Sequence, residues 1–392
     1  MKIDKNLIRG QDPEIELLRS QFAAVSHEGD ASEAISCDAL LANETIDWDH
    51  VTRVLSNDFR KFETLLFKLH FRREKELTSS QRHRVLQFLC IAYQISADVR
   101  FFNEFLHFYH DDPNDHSLWL LSLSNFLKNL NDDAYHSFPL CNTGEITKSV
   151  SDLNTHFETI RKRHCDASLR VGLLGSPTFF KSVRNRLLKA GYPVQCFFLP
   201  YHPNKKINFL LKNKFAFRLV CLLKGIDFPF STIELGHKDP RIKDRLADAN
   251  LDIGFHKLGF IIKKNIIDAL KVGLINDHWA ILPFIRGRST IEYSVLLGVP
   301  LVATAHLVEE GVDSGDIISI YPFNDVERTC STLQQVRNVV RAGRELRAVD
   351  SIEMLSRTRS ATIKNETEKG LTFYSMHPLL VEYIENKILR KH

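Results

Sequence analysis

Asn276 and His278 stand two residues apart at the end of an apolar run, Gly273-Leu-Ile-Asn-Asp-His278. On a β-strand, residues i and i+2 share a face, so a carboxamide and an imidazole would lie side by side. A carboxamide N–H can donate to a developing oxyanion, and an imidazole can move a proton. Asp313, in the loop Glu309-Glu-Gly-Val-Asp-Ser-Gly-Asp316, is placed to orient or charge that imidazole. This combination suits acyl transfer through a tetrahedral intermediate. An isolated Asn-x-His on a strand is more often structural, so the elements around it must carry the reading. His107, His110, Asp111, Asp112 and His116 can be assembled into a metal site on paper. They lack H-E-x-x-H or paired-Cys spacing, and no metal is expected.

Three strand ends would deliver these groups to one place. Leu169 to Leu174 is an apolar run long enough for a buried strand. Ser176 then suits an N-cap, Pro177 the first helical position and Gly191 the position past the helix end. Pro193 to Leu199 reads as the next strand, opening a βαβ unit and hence a parallel sheet. Further strands are expected at 251–255, 273–278 and 301–308, with a short extended piece at 226–233 and helices at 239–250, 265–271 and 290–297. In open α/β sheets the site lies outside the carboxyl ends of the strands. Residues 49–130 show apolar spacings of three and four, the signature of helices, with a break at Thr78-Ser79-Ser80. From about 326 onward the pattern is helical and charged.

The chain has 392 residues, 44% apolar and 26% charged, a globular mixture of two or three domains. Seven scattered cysteines without C-x-x-C are neither a disulfide framework nor a zinc site and fit a reducing cytoplasm. The N-terminus lacks an apolar signal core, and no run approaches membrane-spanning length. Net charge is only +4, but its distribution is uneven. Residues 1–50 hold eleven acids against four bases, whereas 167–226 hold eleven bases and no acid. The second tract is either a solvated helix surface or a field that attracts an anionic partner.

The segment 273–287 has N-x-H, then Leu282-Pro283 and Arg286-Gly287; Thr304-x-His306 and Gly311 to Ile318, containing Asp313-x-Gly315, follow. Together with the opening turn Val171 to Phe179 and the segment Asp252 to Ile262, this resembles the folate-dependent formyltransferases. That family includes the methionyl-tRNA, glycinamide ribonucleotide and sugar formyltransferases. The resemblance covers about 169–325. It implies a Rossmann-like, mostly parallel α/β domain over 166–325; the periodicity on either side adds a preceding helical domain (1–165) and a short following helical extension (326–392). It implies 10-formyltetrahydrofolate as co-substrate and no metal. Asn276 would hold the formyl oxygen, His278 would transfer the proton and Asp313 would pair with it. The pterin would lie between Phe260-Ile261-Ile262 and the loop of Val308, Glu309, Glu310, Gly311 and Val312. Ser176, Thr178, Arg286, Arg288 and His306 are acceptor-side candidates. Three departures stand out: Asp277 is acidic where the family is usually apolar, Trp279-Ala280 replaces a smaller pair, and Pro300 to Thr304 lacks a Gly. Asp277 should point away from Asn276 and His278 and needs a partner if buried.

The expected acceptor is a primary amine on a small, phosphorylated molecule such as an amino-sugar nucleotide, with Arg184, Lys205 and Lys206 near the first helix. A tRNA acceptor is disfavoured because the tail after 325 reads as helical rather than as a β-barrel, so no nucleic acid and no membrane partner are expected. Three roles stand open for the N-terminal helical region: a module that forms a homodimer, a regulatory domain, or part of the acceptor pocket. A 10-formyltetrahydrofolate hydrolase and an inactive folate- or metabolite-binding protein are the alternatives. A dinucleotide-dependent dehydrogenase is a distant rival, since Gly172-Leu-Leu-Gly175 is not G-x-G-x-x-G.

Overall fold

The computed structural model describes residues 40–42, 46–57, 62–72, 77–110, 112–131, 137–138, 141–162, 169–175, 177–198, 213–223, 233–234, 241–258, 262–324, 326–357 and 362–388. They fall into two compact units, one of residues 1–143, 296–298 and 373–387, the other of 144–295, 299–372 and 388–392. The division does not follow chain order.

The first unit is helical: α1 (Trp48–Asn57), α2 (Glu63–His70), α3 (Ser79–Ser96), α4 (Val99–Phe108) and α5 (His116–Asn131), with a late helix Pro378–Tyr383. The break at 78–80 is an N-terminal capping box. Gln81 N donates to Thr78 Oγ1 at 3.2 Å and Thr78 N to Gln81 Oε1 at 3.1 Å. Phe88, Phe101, Phe102 and Phe105 fill the core. Arg100 is buried there because Asp98 accepts from its guanidinium at 2.6 and 2.9 Å and Glu63 pairs with it at 2.6 Å. His107 faces the Ser375 carbonyl at 3.2 Å. Among the described residues no group of three His, Cys, Asp or Glu is placed to hold a metal ion. No helix among them is long and apolar enough to cross a membrane.

The second unit is α/β. It begins with α6 (Thr143–Arg161), β1 (Val171–Gly175), α7 (Pro177–Lys189), β2 (Val194–Phe198), α8 (Lys214–Leu223), β3 (Ile233–Glu234), α9 (Ile242–Asp248), β4 (Ile253–His256), α10 (Lys264–Ile267) and β5 (Gly273–His278). It continues with β6 (Ile285–Gly287), α11 (Thr290–Leu296), β7 (Val302–Leu307), β8 (Ile317–Pro322), α12 (Val326–Thr329), α13 (Leu333–Arg341), α14 (Arg344–Arg357) and β9 (Leu371–Phe373). The seven-stranded sheet runs β8-β7-β5-β4-β1-β2-β3. The five strands from β3 to β5 are parallel; β7 is antiparallel to β5, and β8 to β7. The chain leaves β1 in one direction, then returns to its other side at β4. The carboxyl ends at that reversal are where such sheets bind ligands. Leu174, Phe197, Leu246, Leu251 and Leu274 form a core cluster beneath it.

Strands β1, β2, β4, β5 and β7 lie where the apolar runs place them. Strands β6, β8 and β9 were not anticipated; β9 interrupts a tail that reads as helical, and Leu371 N donates to Phe284 O at 2.9 Å. The buried acid at 277 has its partner. Arg347 of α14 donates to Asp277 Oδ1 at 2.9 Å and to Oδ2 at 2.8 Å, and both residues are about 4% exposed. Trp279 Nε1 donates to the same Oδ2 at 3.0 Å, and Arg344 Nε lies 3.3 Å from it. Arg347 also donates to the Ala342 and Val340 carbonyls. Removing one member of a buried pair strands the other charge. We expect Arg347→Met to lower unfolding free energy by about 3 kcal/mol in denaturant titrations. The Asp277→Asn, Arg347→Met double variant should cost less than the sum of the singles; full additivity would show that the pair does not act as a unit.

Candidate active site

Strand alternation puts Asn276 and His278 on one face of β5 and Asp277 on the other. The antiparallel register with β7 sets Asn276 opposite His306 and His278 opposite Thr304. Asn276 Nδ2 therefore lies 3.1 Å from His306 Nε2. His306 Nδ1 lies 2.6 Å from the Leu307 carbonyl, which can only accept, so Nδ1 carries the proton and Nε2 accepts from Asn276. Thr304 clamps the turn after His278: its Oγ1 donates to Ala280 O at 2.7 Å and accepts from Leu282 N at 3.4 Å. His278 is 5% exposed, and its Nε2 donates to Ile285 O at 2.8 Å. Its Nδ1 faces Asp313 Oδ2 at 3.3 Å.

Asp313 arrives from the loop between β7 and β8 with φ +49°. Gly315 is required there: a Cβ would stand 2.0 Å from the Leu307 carbonyl oxygen. Asn365 holds the loop from outside, its Nδ2 donating to Asp313 O at 2.9 Å and Gly315 O at 3.1 Å. Asp313 Oδ2 accepts from Gly287 N at 2.9 Å, and Oδ1 accepts from Asn276 Nδ2 at 3.3 Å and lies 3.5 Å from His306 Nε2. Burial opposes ionisation of this carboxyl. The His278 ring and the Gly287 N–H outweigh it and hold Asp313 well below the usual carboxylate range.

A cleft of about 430 Å³ opens over this group, lined by Asn276, His278, Trp279, Gly287 and Asp313 on one side and by Arg337, Arg341 and Arg344 of α13 and α14 on another. The sequence reading did not single out these arginines. They recur at 337, 341, 344 and 347, three and four residues apart across the end of α13 and the start of α14, and the unpaired acid at 277 was the clue to their destination. His256, at the end of β4, was also passed over. Its Nδ1 accepts from Leu258 N at 3.3 Å, while its buried Nε2 has no hydrogen-bond partner among the described residues. Burial, reinforced by His306 and Arg344, pushes the ring down to about 3, so it is neutral.

The other sequence candidates are dispersed. Ile262 packs in the core cluster. Val308 joins the sheet through its N–H to Leu274 O at 2.7 Å and packs on that cluster. Glu309, Glu310, Gly311 and Val312 are exposed on the loop before Asp313. Arg286 is held by the Val312 and Thr367 carbonyls at 3.5 and 3.3 Å. Arg288 is exposed and lies outside the cleft lining. Thr178 is the second residue of α7. Arg184, also on α7, is half-buried. Phe260, Ile261, Ser176, Lys205 and Lys206 lie outside the described residues.

Two consequences follow from the loop geometry. Gly315→Ala should displace Asp313, lower thermal stability by at least about 1 kcal/mol and broaden the His278 ring signals in NMR spectra; an unshifted spectrum would show that the loop tolerates a side chain. The depressed Asp313 carboxyl stabilises the fold above the ordinary carboxylate range near ~4, and this contribution is lost as pH falls below that range. The stability gap between wild type and Asp313→Asn should therefore narrow on acidification; a gap that widens would reverse the assignment.

No family model matches the chain. By sequence it is similar to the methionyl-tRNA formyltransferase of Finegoldia magna, with 39% identity over 84 residues, 21% of this chain and 27% of that protein. It is similar also to the methionyl-tRNA formyltransferase of Bacillus cytotoxicus, with 26% identity over 210 residues, 53% of this chain and 65% of that protein. The chain thus spans only a quarter to two thirds of the length of these relatives. A 4-N formyltransferase from Francisella tularensis aligns in structure with 16% identity and a TM-score of 0.38 over 57% of this chain and 88% of that one. The α/β unit of this chain, with its Asn276-x-His278, Leu282-Pro283 and Asp313-x-Gly315 motifs, resembles the folate-dependent formyltransferases.

Proposed function

We propose that the protein transfers a formyl group from 10-formyltetrahydrofolate to a primary amine of a small acceptor. The observation that carries this reading is the linked group Asn276–His306–Asp313–His278, of which Asn276, Asp313 and His278 line one cleft. The amide N–H of Asn276 now rests on Asp313 through a long contact of 3.3 Å. An attacked carbonyl oxygen would replace that contact, and one such donor is worth about 3–4 kcal/mol as charge develops on the oxygen. His306, with its proton fixed on Nδ1, keeps the Asn276 amide from flipping. The His278–Asp313 pair takes up the amine proton, a role that typically contributes ~10²–10⁴-fold. The polar cleft is compatible with a ligand rich in carbonyl and ring-nitrogen acceptors.

The acceptor class we favour is a phosphorylated amine such as an amino-sugar nucleotide. The names of the relatives supply a second candidate, the amino group of methionyl-tRNA. Tetrahydrofolate release should depend on an amine, and Asn276→Ala or His278→Ala should lower kcat/KM by about 100- to 1,000-fold in protein that circular dichroism shows to be folded. A panel containing neutral amines, amino-sugar nucleotides and methionyl-tRNA names the acceptor. Release without any amine that still needs His278 would replace transfer by hydrolysis. No release under any condition would leave a binding role.

A further inference from the structure

The arginine wall of the cleft is short of carboxylates. Arg337 is matched by Glu292, which accepts from its Nε at 2.8 Å. Asp277 serves two guanidiniums at once: Arg347 takes both its oxygens, and Arg344 is left at 3.3 Å from one of them. Glu345, the other carboxylate near Arg344, accepts from Ser182 Oγ at 3.1 Å. Arg341 has no hydrogen bond or ion pair among the described residues; its guanidinium lies over the Trp279 ring at 5.3 Å, with that of Arg344 at 5.0 Å from the same ring. Burial pushes Arg344 down and Asp277 only partly restores it, with Arg347 and Arg341 adding repulsion. Lys257 is lowered in the same sense, by desolvation first and then by Arg344 and Arg341. Trp279 thus splays two guanidiniums along one edge of the cleft, one only half matched by a carboxylate and the other not matched at all. The residue before Trp279 is His278. We propose that Arg341 and Arg344 form an anion-binding subsite that takes a phosphate or diphosphate group of the acceptor and sets its amine against Asn276 and His278.

This assignment rests on the transfer reading above. A cleft of about 430 Å³ fits one small molecule, so phosphate and amine belong to the same compact acceptor. Planar guanidiniums bind phosphate oxygens in pairs, and two of them on one indole can grip adjacent oxygens. The subsite explains both sequence departures beside His278. Asp277 anchors the helix that carries Arg344, and Trp279 aims the pair.

The test uses the full chain and inorganic pyrophosphate, followed by calorimetry. Wild type should bind it saturably, and Arg341→Gln should weaken binding about tenfold without changing the melting temperature. Malonate, the carboxylate arm, should bind more weakly than pyrophosphate. In the formyl-transfer assay the same variant should raise KM for a phosphorylated amine while leaving kcat and KM for the folate unchanged. Absence of pyrophosphate binding, equal binding by wild type and Arg341→Gln, or a preference for malonate would each overturn the subsite. Arg341-dependent pyrophosphate binding with no amine accepted would uphold the anion site and remove the transfer reading instead.

Discussion

A carboxylate without water must be matched where it stands, and Asp277 is such a group. It sits in the middle of β5, between the two side chains that face the cleft, and on the opposite side of the sheet edge from them. Its burial is tolerable only because α14 brings Arg347 onto both its oxygens. That single interaction ties the C-terminal helices to the strand that carries Asn276 and His278. Ion pairs of this kind are weak sources of net stability but strong penalties when half-broken. Their consequence here is register: α14 can dock on the sheet in one way, and in that docking Arg344 and Arg341 reach the cleft.

On the opposite face the same strand works through hydrogen bonds. The pairing of β5 with β7 places His306 against Asn276, and a carbonyl fixes the protonation of His306. The loop that follows β7 folds back because residue 315 has no side chain, which brings Asp313 to His278. Each group therefore has its orientation set by a neighbour: Asn276 by His306, and His278 by Asp313. Pre-set donors are what give an active site its advantage over water.

Much of this was legible in the sequence. Apolar runs located five strands of the main sheet, and the two-residue spacing of Asn276 and His278 put them on one face. The need of Asp277 for a partner was legible too, but not the partner. Arg347 lies 70 residues further on, and no local pattern distinguishes a helix face of arginines that meets solvent from one that meets a buried acid. The short strands at 285–287 and 371–373 escaped for a similar reason: three residues carry no periodicity. His256 escaped because a histidine ending an apolar strand is unremarkable until the depth of its burial is known. The folate-side candidates Phe260 and Ile261 fall outside the described residues, so that part of the reading still rests on resemblance.

The fate of a labelled formyl carbon tests the central claim most directly. The protein would be mixed with 10-formyltetrahydrofolate carrying ¹³C in the formyl group and with a phosphorylated primary amine, and followed by ¹³C NMR. The label should appear as a formamide of the amine, at a rate abolished by His278→Ala. Label that stays on the folate, or that appears only as formate, would contradict it.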